Sequence, residues 1–401
     1  MKDPVLVINA GSSSIKFQLF EAVSTDDLDQ IAGGQFEGIG TKPHFVAKNA
    51  DGEKLVDRYW EGDDGPKTHR GCMQVLIDWI GDFLDGGKVA AVGHRVVHGG
   101  ELYSAPVKID GDVHEKLESL ISLAPLHQPH NLKAIDAMAV AYPGVPQVAC
   151  FDTAFHQQHP WVADTYALPR RYYDEGIQRY GFHGLSYEFI AREMRKVAPH
   201  IASGKMVVCH LGNGASMCAI DNGRSMDSTM GFTAVDGLPM GTRTGQLDPG
   251  VVLHFIDELG MTTKEVTDLI YKQSGLLGLS GVSNDMRELE GSDNPHAKDA
   301  IDYFTFHIRR NVGALAAAMG GLDGVVFTGG IGENSVRIRR EVCTGLEFLG
   351  IRIDDAKNEA KGPKISSDDA GTEVWVIKTN EEKMIALHAL AVLSGERRAA
   401  A

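Results

Sequence analysis

The stretch VLVINAGSSSIKF (Val5–Phe17) has a counterpart in the second half of the chain, MVVCHLGNGASMCAI (Met206–Ile220). Each is an apolar, β-branched run that stops at a polar turn with glycine and small hydroxyl residues and then resumes. This pattern predicts a strand, a tight turn and a second strand. Glycine lets a backbone approach a ligand closely, and successive N–H groups in such a turn attract anions. The pair therefore predicts a duplicated fold that holds a polyphosphate between its halves.

The composition indicates a folded protein of two domains. At 401 residues the chain is longer than one hydrophobic core usually serves. Its 43% hydrophobic and 23% charged residues are typical of a globular protein. The net charge of −15 argues against nucleic acid as the main ligand, because phosphate-backbone binding needs a basic surface. A nucleotide stays compatible with this charge, since a few cations, amide N–H groups and Mg²⁺ can hold it.

The chain gives no sign of export or of a membrane span. Its first residues, MKDPVLVINA, lack an adequate apolar segment, and no apolar run approaches the length of a membrane helix. The five cysteines are scattered without a C-x-x-C pair, so we expect buried free thiols. These features predict a cytoplasmic protein.

The order of predicted elements in the first half is three strands, a helix, a strand, helices and a strand, which resembles half of a duplicated α/β architecture. The periodicity predicts helices over Met73–Leu84, His114–Leu123 and Leu132–Ala141, and strands over Val89–Val92 and Val145–Phe151. In the second half we expect a helix over Ser186–Val197, the second hairpin, a glycine-rich loop over Asp227–Gly250, a strand over Gly324–Thr328 leading into GGIGEN, a strand over Val374–Ile377 ending at TNEE, and a final helix over Lys383–Leu393.

Three candidate cations for a phosphoryl-transfer site stand in glycine-rich settings. They are Arg95 in HRVVHGG, His183 in YGFHG and Arg243 in MGTRTGQLDPG. Positively charged side chains beside the transferring phosphoryl group stabilise the negative charge of its transition state. A solvated or salt-bridging role is an equal alternative for each arginine at this point. The chain has no G-x-x-x-x-G-K-[ST], which argues against a P-loop, whereas the glycines of GGIGEN predict helix N-terminal amides facing an anion or a ribose.

Candidate oxygen ligands for Mg²⁺ stand at predicted strand ends: Asn9, Asp152 and Glu381. Mg²⁺ keeps several waters and often takes only one protein carboxylate. Two alternatives stay open, because Glu381 also fits a helix N-terminus with acids in its first turn and Asp152 also fits a turn cap.

The histidine pairs indicate solvated or structural histidines rather than a metal site. His127 and His130 in LHQPH, and His156 and His159 in HQQH, lie three residues apart, but there is no H-E-x-x-H. Pro129 argues against a helix that carries the first pair. The absence of G-x-S-x-G in the sequence argues against a serine hydrolase.

Ten motifs in order resemble the acetokinase family, within the acetate and sugar kinase, Hsp70 and actin superfamily. They are VLVINAGSSSIKF, GHRVVHGG, APLHQPHN, FDTAFH, YGFHG, HLGNGAS, MGFTAVDGLPMGTRTG, SNDMR, FTGGIGEN and TNEE. The resemblance implies an α/β fold of two duplicated ribonuclease-H-like (actin-like ATPase) domains with an active-site cleft between them. It implies an N-terminal domain over 1–151, a nucleotide-binding domain over 152–383, and a C-terminal helix, 384–401, that packs back on the first domain.

The resemblance also implies an activity. Members transfer a phosphoryl group reversibly and in line from ATP to acetate, giving acetyl phosphate and ADP, with Mg²⁺ or Mn²⁺. We accordingly expect small-molecule substrates, no nucleic acid or membrane partner, and a cytoplasmic homodimer.

The resemblance assigns roles to residues by position. Asn9 and Glu381 would organise Mg²⁺, and Arg95 would bind the acetate carboxylate or the acyl phosphate. His183 and Arg243 would stabilise the transferring phosphoryl. The remaining assignments are Lys16 at the nucleotide phosphates, His127 as an assisting group, and a nucleotide site of His210, Leu211, Gly212, Asn213, Gly214, Asp285, Met286, Arg287, Gly330, Ile331, Gly332, Glu333 and Asn334.

The family proposes Asp152 as an acid/base or positioning group. Because acetate is already ionised at neutral pH and needs no general base, we favour positioning through Arg95 or Mg²⁺.

The acetate methyl group would sit, by the same matching, among Val97, Leu126, Phe182 and Ala234. A common family form has proline where this chain has Ala234, so the pocket can be larger and admit propionate. One methylene is worth only about 1–3 kcal/mol in such a pocket, which predicts modest selectivity. Gln246 replaces the usual acid after the arginine loop.

Three alternatives to an acetate kinase remain at this stage. They are a propionate or butyrate kinase, a nucleotide-gated binding protein like Hsp70, and a metal hydrolase that uses the histidines.

Overall fold

The computed structural model describes residues 3–11, 14–24, 27–60 and 65–395. These form two compact units: one covers the chain up to Phe155 together with the segment from Asn380 onward, and the other is His156–Thr379. The sequence placed the two boundaries at 151/152 and 383/384. The nucleotide-binding role of the second unit stays a prediction.

The first unit is built on an eight-stranded sheet. Its strands are β1 (Val5–Ala10), β2 (Ile15–Ala22), β3 (Leu28–Glu37), β4 (His44–Asn49), β5 (Lys54–Tyr59), β6 (Ala91–Val96), β7 (Val107–Lys108) and β8 (Gln147–Phe151). Their order in the sheet is β5-β4-β3-β2-β1-β6-β8-β7. Strand β1 pairs antiparallel with β2 and parallel with β6, and β6 pairs parallel with β8.

The second unit repeats the central part of this arrangement. Its strands are β9 (Lys205–Leu211), β10 (Ala215–Asp221), β11 (Arg224–Ser228), β12 (Gly324–Thr328) and β13 (Glu373–Val376). Their order, β11-β10-β9-β12-β13, matches β3-β2-β1-β6-β8 in order and in strand direction.

A β-bulge strengthens the correspondence between the units. The extra residue is Ile31 of β3 in one unit and Met226 of β11 in the other, and each lies opposite the fifth and sixth residues of the partner strand, β2 or β10. The duplicated α/β fold predicted from the two hairpins is therefore confirmed.

Helices cover the sheets. They are α1 (His69–Phe83), α2 (Gly111–Ser119), α3 (Gln128–Ala141), α4 (Trp161–Asp164), α5 (Arg171–Asp174), α6 (Gly184–Val197), α7 (Pro199–Ala202), α8 (Pro249–Asp257), α9 (Thr263–Lys272), α10 (Gly275–Ser280), α11 (Met286–Glu290), α12 (Pro295–Met319), α13 (Gly329–Asn334), α14 (Val336–Cys343), α15 (Asp355–Glu359) and α16 (Glu381–Ser394). In the first unit, α16 packs on β1, β6 and β8. Gly93 of β6 allows this close approach, because a Cβ there would lie 2.6 Å from Cγ2 of Ile385.

The core of the first unit is rich in aromatic side chains. Phe17, Phe36 and Phe45 of the sheet are buried, and Trp79 of α1 packs edge-on against Phe17 with ring centroids 5.4 Å apart. In the second unit the central helix α12 buries Ile301, Phe304 and Ile308 and contacts β9 and β10. These cores fix the strand ends that carry the candidate site.

Several local predictions were wrong. Helix α3 begins at Gln128, so a helix does carry His130; Pro129 is tolerated in a first turn, where its missing N–H has no intrahelical partner to lose. The predicted glycine-rich loop overlaps β11, which extends to Ser228. The helix start predicted at GGIGEN is present, and α13 begins at Gly329. Glu381 begins α16 rather than ending a strand. Within the described ranges, no helix combines the length and apolar character needed to cross a membrane.

Candidate active site

Three side chains meet at one edge of the first unit's sheet. Asn9 and Arg95 are next to last in β1 and β6, and Asp152 directly follows β8. Because these strands run parallel, their carboxyl ends lie together. Arg95 donates from Nε and Nη2 to the two carboxylate oxygens of Asp152, at 2.9 and 2.6 Å, and from Nη1 to Oδ1 of Asn9 at 3.3 Å. The structure thus brings together three residues that the sequence singled out separately.

The Arg95–Asp152 pair leaves part of the guanidinium available. A guanidinium has five N–H donors, and the bonds to Asp152 and Asn9 occupy three of them. One N–H on Nη1 and one on Nη2 make no hydrogen bond to the described residues. Burial by itself lowers the pKa of Arg95, but the carboxylates of Asp152 and Glu381 outweigh it and raise the pKa. Asp152 is 2% exposed, so its bidentate contact fixes the plane of a permanently charged group.

Two acids from the start of α16 face the same cluster. Asn380 caps the helix by accepting a bond from the backbone N–H of Lys383 at 2.8 Å. Glu381 Oε2 lies 3.9 Å from Nε of Arg95, and Glu382 accepts from Nδ2 of Asn9 at 3.4 Å. The cap interpretation of TNEE is therefore correct for Asn380, while both acids point toward the cluster. The sequence singled out Glu381 alone.

The cluster carries excess negative charge. The pKa of Glu381 is raised to about 7, chiefly by burial and also by the charges of Asp152 and Glu382, which together outweigh the lowering by Arg95 and Lys16. Lys16 is exposed on β2, directly opposite Asn9 in the strand register. Three carboxylates thus share one partly buried guanidinium and one exposed ammonium group.

A divalent cation fits this charge. Mg²⁺ is bound through one or two carboxylates, with waters and substrate phosphates filling its other positions. Asn9, Glu381 and Glu382 supply the oxygen donors on this edge. Across the described parts of the chain, no three acid, histidine or cysteine side chains form a complete metal cage. A metal here would accordingly depend on water and phosphate for its remaining ligands.

The second unit holds the two other candidate cations around one glycine. His183 adopts a left-handed backbone conformation (φ 59°, ψ 21°) just before α6. Its Nδ1 lies 2.8 Å from Oγ of Ser216, and its ring stacks on that of His210 at 4.3 Å. A Cβ on Gly214 would lie 3.5 Å from Nε2 of His183 and 4.0 Å from Nη1 of Arg243.

Arg243 is held by the backbone, because its Nη1 donates to the carbonyl of Ala234 at 2.8 Å. The turn after β9 therefore faces both predicted phosphoryl-stabilising groups. An added side chain at Gly214 would fill the space that they share.

Segments predicted to bind a nucleotide also meet in this unit. The parallel strands β9 and β12 end at one edge, where the position of a Gly212 Cβ lies 4.0 Å from the N–H nitrogen of Gly330. Asn213 accepts from Nδ2 of Asn284 at 3.2 Å and, through its carbonyl, from the N–H of Gly241 at 3.0 Å. The turn after β9, the start of α13 and the chain leading into α11 are thus neighbours.

Two acids within the predicted nucleotide segments serve the local backbone. Glu333 Oε1 accepts from the N–H groups of Gly329 and Thr379 at 3.0 and 3.1 Å. Asp285 caps α11 and pairs with Arg287, whose side chain is 89% exposed. Contact of these side chains with a nucleotide stays a prediction.

A buried hydrogen-bond relay supports the backbone next to His183. His156 Nε2 lies 2.9 Å from the carbonyl of Phe182, and Nδ1 lies 2.8 Å from Oγ of Ser225. His159 Nε2 lies 2.6 Å from the same hydroxyl, and its Nδ1 lies 3.0 Å from Asp164.

The proton positions in this relay follow from its acceptors. The carbonyl of Phe182 can only accept, so Nε2 of His156 carries the hydrogen. Burial, reinforced by His159, lowers the pKa of His156 to about 3, so the ring is neutral and Nδ1 accepts from Ser225. His156 and His159 therefore bind protein groups, and the relay fixes the residue that precedes His183.

The other predicted residues are divided between the units. Val97 and Leu126 belong to the first unit, where Val97 is buried and His127 immediately precedes α3. Phe182 and Ala234 belong to the second unit, where Phe182 is buried. Gln246 accepts from Nη2 of Arg310 at 2.5 Å. A methyl pocket formed by these residues stays a prediction.

Sequence reasoning missed four contributors: Ser216, Ser225, Glu382 and the carbonyl of Ala234. Ser216 and Glu382 are the last residues of the motifs HLGNGAS and TNEE, so their positions offered a signal. Ser225 lies far along the chain from His156, and the carbonyl of Ala234 has no side-chain signature, so neither offered one.

Comparisons with known proteins identify the family of the chain. The sequence profile of the Acetokinase family matches residues 4–387. The chain is 52% identical to the acetate kinase of Nitrobacter hamburgensis over 98% of this chain and 96% of that one. It is 50% identical to the acetate kinase of Rhodopseudomonas palustris strain CGA009, over 99% of this chain and 100% of that one.

Among solved structures, the acetate kinase of Porphyromonas gingivalis superimposes with a TM-score of 0.87 at 39% identity, covering 98% of this chain and 100% of that one. A propionate kinase of Francisella tularensis superimposes with a TM-score of 0.89 at 38% identity, covering 96% and 98%. The chain belongs to the acetokinase family.

Proposed function

We propose that this protein is an acetate kinase that transfers the γ-phosphoryl group of ATP reversibly to acetate, giving acetyl phosphate and ADP. The observation that carries the proposal is the 50–52% identity to acetate kinases over nearly the whole chain. The chemistry of the two clusters fits the reaction. One presents a fixed guanidinium to a carboxylate, and the other presents a histidine and an arginine beside a glycine turn.

The acyl acceptor would bind to Arg95. The two N–H groups that Asp152 and Asn9 leave available on Nη1 and Nη2 suit a carboxylate oxygen. Acetate is ionised at neutral pH, so its oxygen attacks the γ-phosphorus directly. The bond from that phosphorus to the β,γ-bridging oxygen breaks, and ADP leaves with the electron pair. Asp152 acts as a positioning residue in this scheme, because both of its oxygens are committed to Arg95.

The transferring phosphoryl would lie against His183 and Arg243. Both groups converge beside Gly214, and both are held in place, by Ser216 and by the carbonyl of Ala234. Donors fixed before the reaction stabilise developing charge without reorganisation. The turns at 210–214, 285–287 and 330–334 would hold the nucleotide, and Lys16 would contact its phosphates.

Asn9, Glu381 and Glu382 would hold Mg²⁺, or Mn²⁺. When bound, the metal neutralises phosphate charge and orients the polyphosphate. The raised pKa of Glu381 and the surplus of carboxylates support this assignment.

We also propose that the enzyme acts as a cytoplasmic homodimer, as its resemblance to the family implies. The five cysteines are all free and buried, which suits a reducing compartment. Analytical ultracentrifugation of the purified chain tests the dimer, and a monomer at micromolar concentration would contradict it.

Trapping of the acyl phosphate tests the activity. Purified protein with ATP, Mg²⁺, acetate and hydroxylamine should give acetohydroxamate, and Arg95→Ala should abolish most of it. Arg224→Ala, at an exposed position on β11, is the matched control and should keep full activity. No hydroxamate with acetate, propionate or butyrate would exclude a short-chain carboxylate kinase.

Propionate is a second candidate substrate. The similarity to a propionate kinase and the small side chain of Ala234 favour it. Measuring kcat/KM for acetate, propionate and butyrate decides between them. We expect acetate and propionate to differ by about 10- to 200-fold, the range for one methylene.

A further inference from the structure

The first unit has a large groove between α1 and α3, with a volume of about 1130 Å³. We call it the α1–α3 groove. Asn9, Lys16, Arg95, Asp152 and Glu381 are not among its lining residues, so it is separate from the cluster at the strand ends. Its volume is at the upper end of, or above, that of most small-molecule sites.

One part of the groove is lined by cationic or protonatable side chains. They come from the start of α1 and of α3: Lys67, His69, Arg70, His130 and Lys133. The first turn of α1 contains no acid, although acids are the favoured charges at a helix N-terminus. Asp136 also lines the groove, and its carboxylate lies 2.9 Å from His114 on α2. The groove therefore carries positive charge at the N-terminus of α1, where the helix dipole makes such charge unfavourable.

A buried histidine atom marks this cationic part. The rings of His69 and His130 lie 4.6 Å apart. Nδ1 of His130 is shielded from solvent and has no hydrogen-bond partner among the described residues. Burial lowers the pKa of His130, and the charges of His69 and Lys133 lower it further, as expected where the local potential is positive.

Another part of the groove is mainly apolar, although Gln74 also lines it. Met73 and Ile77 of α1 and Ala137 and Val140 of α3 line it in the later turns of each helix. Val140 is 84% exposed, so its side chain is accessible to a ligand in the groove. The same groove thus offers cations at one part and hydrophobic contact at another.

We propose that the α1–α3 groove binds an amphipathic anion of nucleotide size, with a phosphate or carboxylate head and a hydrophobic body, and that this ligand is an effector of catalysis. An inorganic anion would use only the cations and leave the apolar wall exposed. This site is additional to the substrates of the proposed reaction.

The groove is connected to the catalytic edge through the turn after β1. Ala10 lines the groove, and its carbonyl accepts from Nδ2 of Asn131 on α3 at 2.8 Å. His69 Nε2 donates to the carbonyl of Gly11 at 2.8 Å. Asn9 immediately precedes these two residues. A ligand that binds His69 therefore changes a hydrogen bond to Gly11, two residues after Asn9, which gives a route for coupling between the two sites.

The binding test uses a fluorescent pair that differs in charge. The probes are 8-anilino-1-naphthalenesulfonate, which is an amphipathic anion, and N-phenyl-1-naphthylamine, its neutral relative. We expect saturable binding of the sulfonate to the wild type. Lys133→Ala should weaken sulfonate binding about 10-fold, the loss of one charge-assisted contact, and leave the neutral probe unchanged. Val140→Asp should weaken binding of both probes.

Lys116→Ala, at an exposed lysine of α2 outside the groove, is the matched control and should bind as the wild type does. Lys133, Val140 and Lys116 are all exposed, so the variants should fold normally. Absence of saturable sulfonate binding would overturn the proposal. Equal binding by the wild type and Lys133→Ala, or equal losses in Lys133→Ala and Lys116→Ala, would overturn it too.

The effector role has its own measurement. With the sulfonate bound, the KM for ATP of the wild type should shift several-fold, and the shift should be lost in Lys133→Ala. Activity without probe should be the same in all variants, so failure of this inference is distinguishable from failure of the proposed reaction. An unchanged KM in the wild type at saturating probe would refute the effector role.

Discussion

The stability of the first unit should depend on the protonation of Glu381. Burial among Asp152 and Glu382 raises its pKa from 4.5 to about 7. The folded state therefore keeps a proton in a pH range where the unfolded chain has already lost it. Unfolding releases that proton, so the free energy of unfolding falls as the pH rises through this range. The stabilising contribution is complete below pH 4.5 and is lost above pH 7.

The magnitude follows from the size of the shift. A change of about 2.5 pKa units corresponds to ~3 kcal/mol, of which ~2.5 kcal/mol is lost between pH 5 and pH 8. In Glu381→Gln the side chain is neutral at every pH and this slope disappears. Glu115→Gln, at an exposed acid on α2, is the matched control and should keep the wild-type slope.

Urea unfolding at pH 5, 6, 7 and 8, followed by tryptophan fluorescence, measures the effect. The difference in unfolding free energy between Glu381→Gln and the wild type should change by ~2.5 kcal/mol across this range, in favour of the variant at high pH. Asp152→Asn should reduce the slope, since Asp152 is one of the charges that raise the pKa of Glu381. Parallel pH dependences for the wild type and Glu381→Gln would refute the reasoning.

Metal binding gives a second readout of the same carboxyl group. A ligand carboxylate must be ionised, so Mg²⁺ binding at pH 6.5 should release about 0.8 proton per chain. Titration calorimetry in buffers of different ionisation enthalpy measures this number. Glu381→Gln should release none, and equal release by both proteins would separate Glu381 from the metal site.

Three further predictions concern the second unit. Arg243→Ala should lower kcat by about 10²–10⁴ in the hydroxamate assay, because it removes a fixed donor from the transition state, whereas near-normal kcat would contradict that role. His156→Leu should lower kcat by about 10- to 100-fold with little change in KM, and His156→Gln, which can still donate to Phe182, should restore much of it; equal losses in both would contradict positioning through this bond. Gly329→Ala should destabilise the protein by about 1–3 kcal/mol in urea unfolding, since φ is 76° and the Cβ would lie 2.7 Å from the carbonyl oxygen of Leu211. In Gly330→Ala the added Cβ has no atom within 4 Å, so this variant should keep its stability and instead raise the KM for ATP. Equal losses of stability in Gly329→Ala and Gly330→Ala would contradict both expectations.

The strands that carry the site were predictable because their hydrophobic patterns reflect their burial. β1 and β9 are buried on both faces and read as continuous apolar runs, and glycine-rich turns end them. β5 and β11 were not predicted for the opposite reason. β5 is an edge strand that is exposed along nearly its whole length, and β11 is short and polar, so neither has a hydrophobic period to detect.

The individual chemical groups were predictable from motifs, but their mutual arrangement was not. Arg95 and Asp152 each stood at a strand end, and parallel strands bring such ends together. The bidentate contact between them depends on side-chain conformations that no local pattern specifies. The relay from Asp164 through Ser225 to Phe182 joins segments distant along the chain, and a serine in a polar strand has no distinctive sequence signal.

The duplication explains the strand arrangement that the two units share. Their chemistry depends on which residues occupy the equivalent positions. Asn9 and His210 are next to last in the equivalent strands β1 and β9. Their register partners across the two hairpins are Lys16 and Ser216. The same pair of positions therefore holds an amide and a cation in one unit, and an imidazole and a hydroxyl in the other. Ser216 uses its position to hold His183, at 2.8 Å, whereas Asn9 uses its own to join Arg95 and Glu382. Because identical backbone positions support these different tasks, the two turns cannot be equivalent phosphate-binding sites, and exchanging Asn9 for histidine would not give the first unit the role of the second.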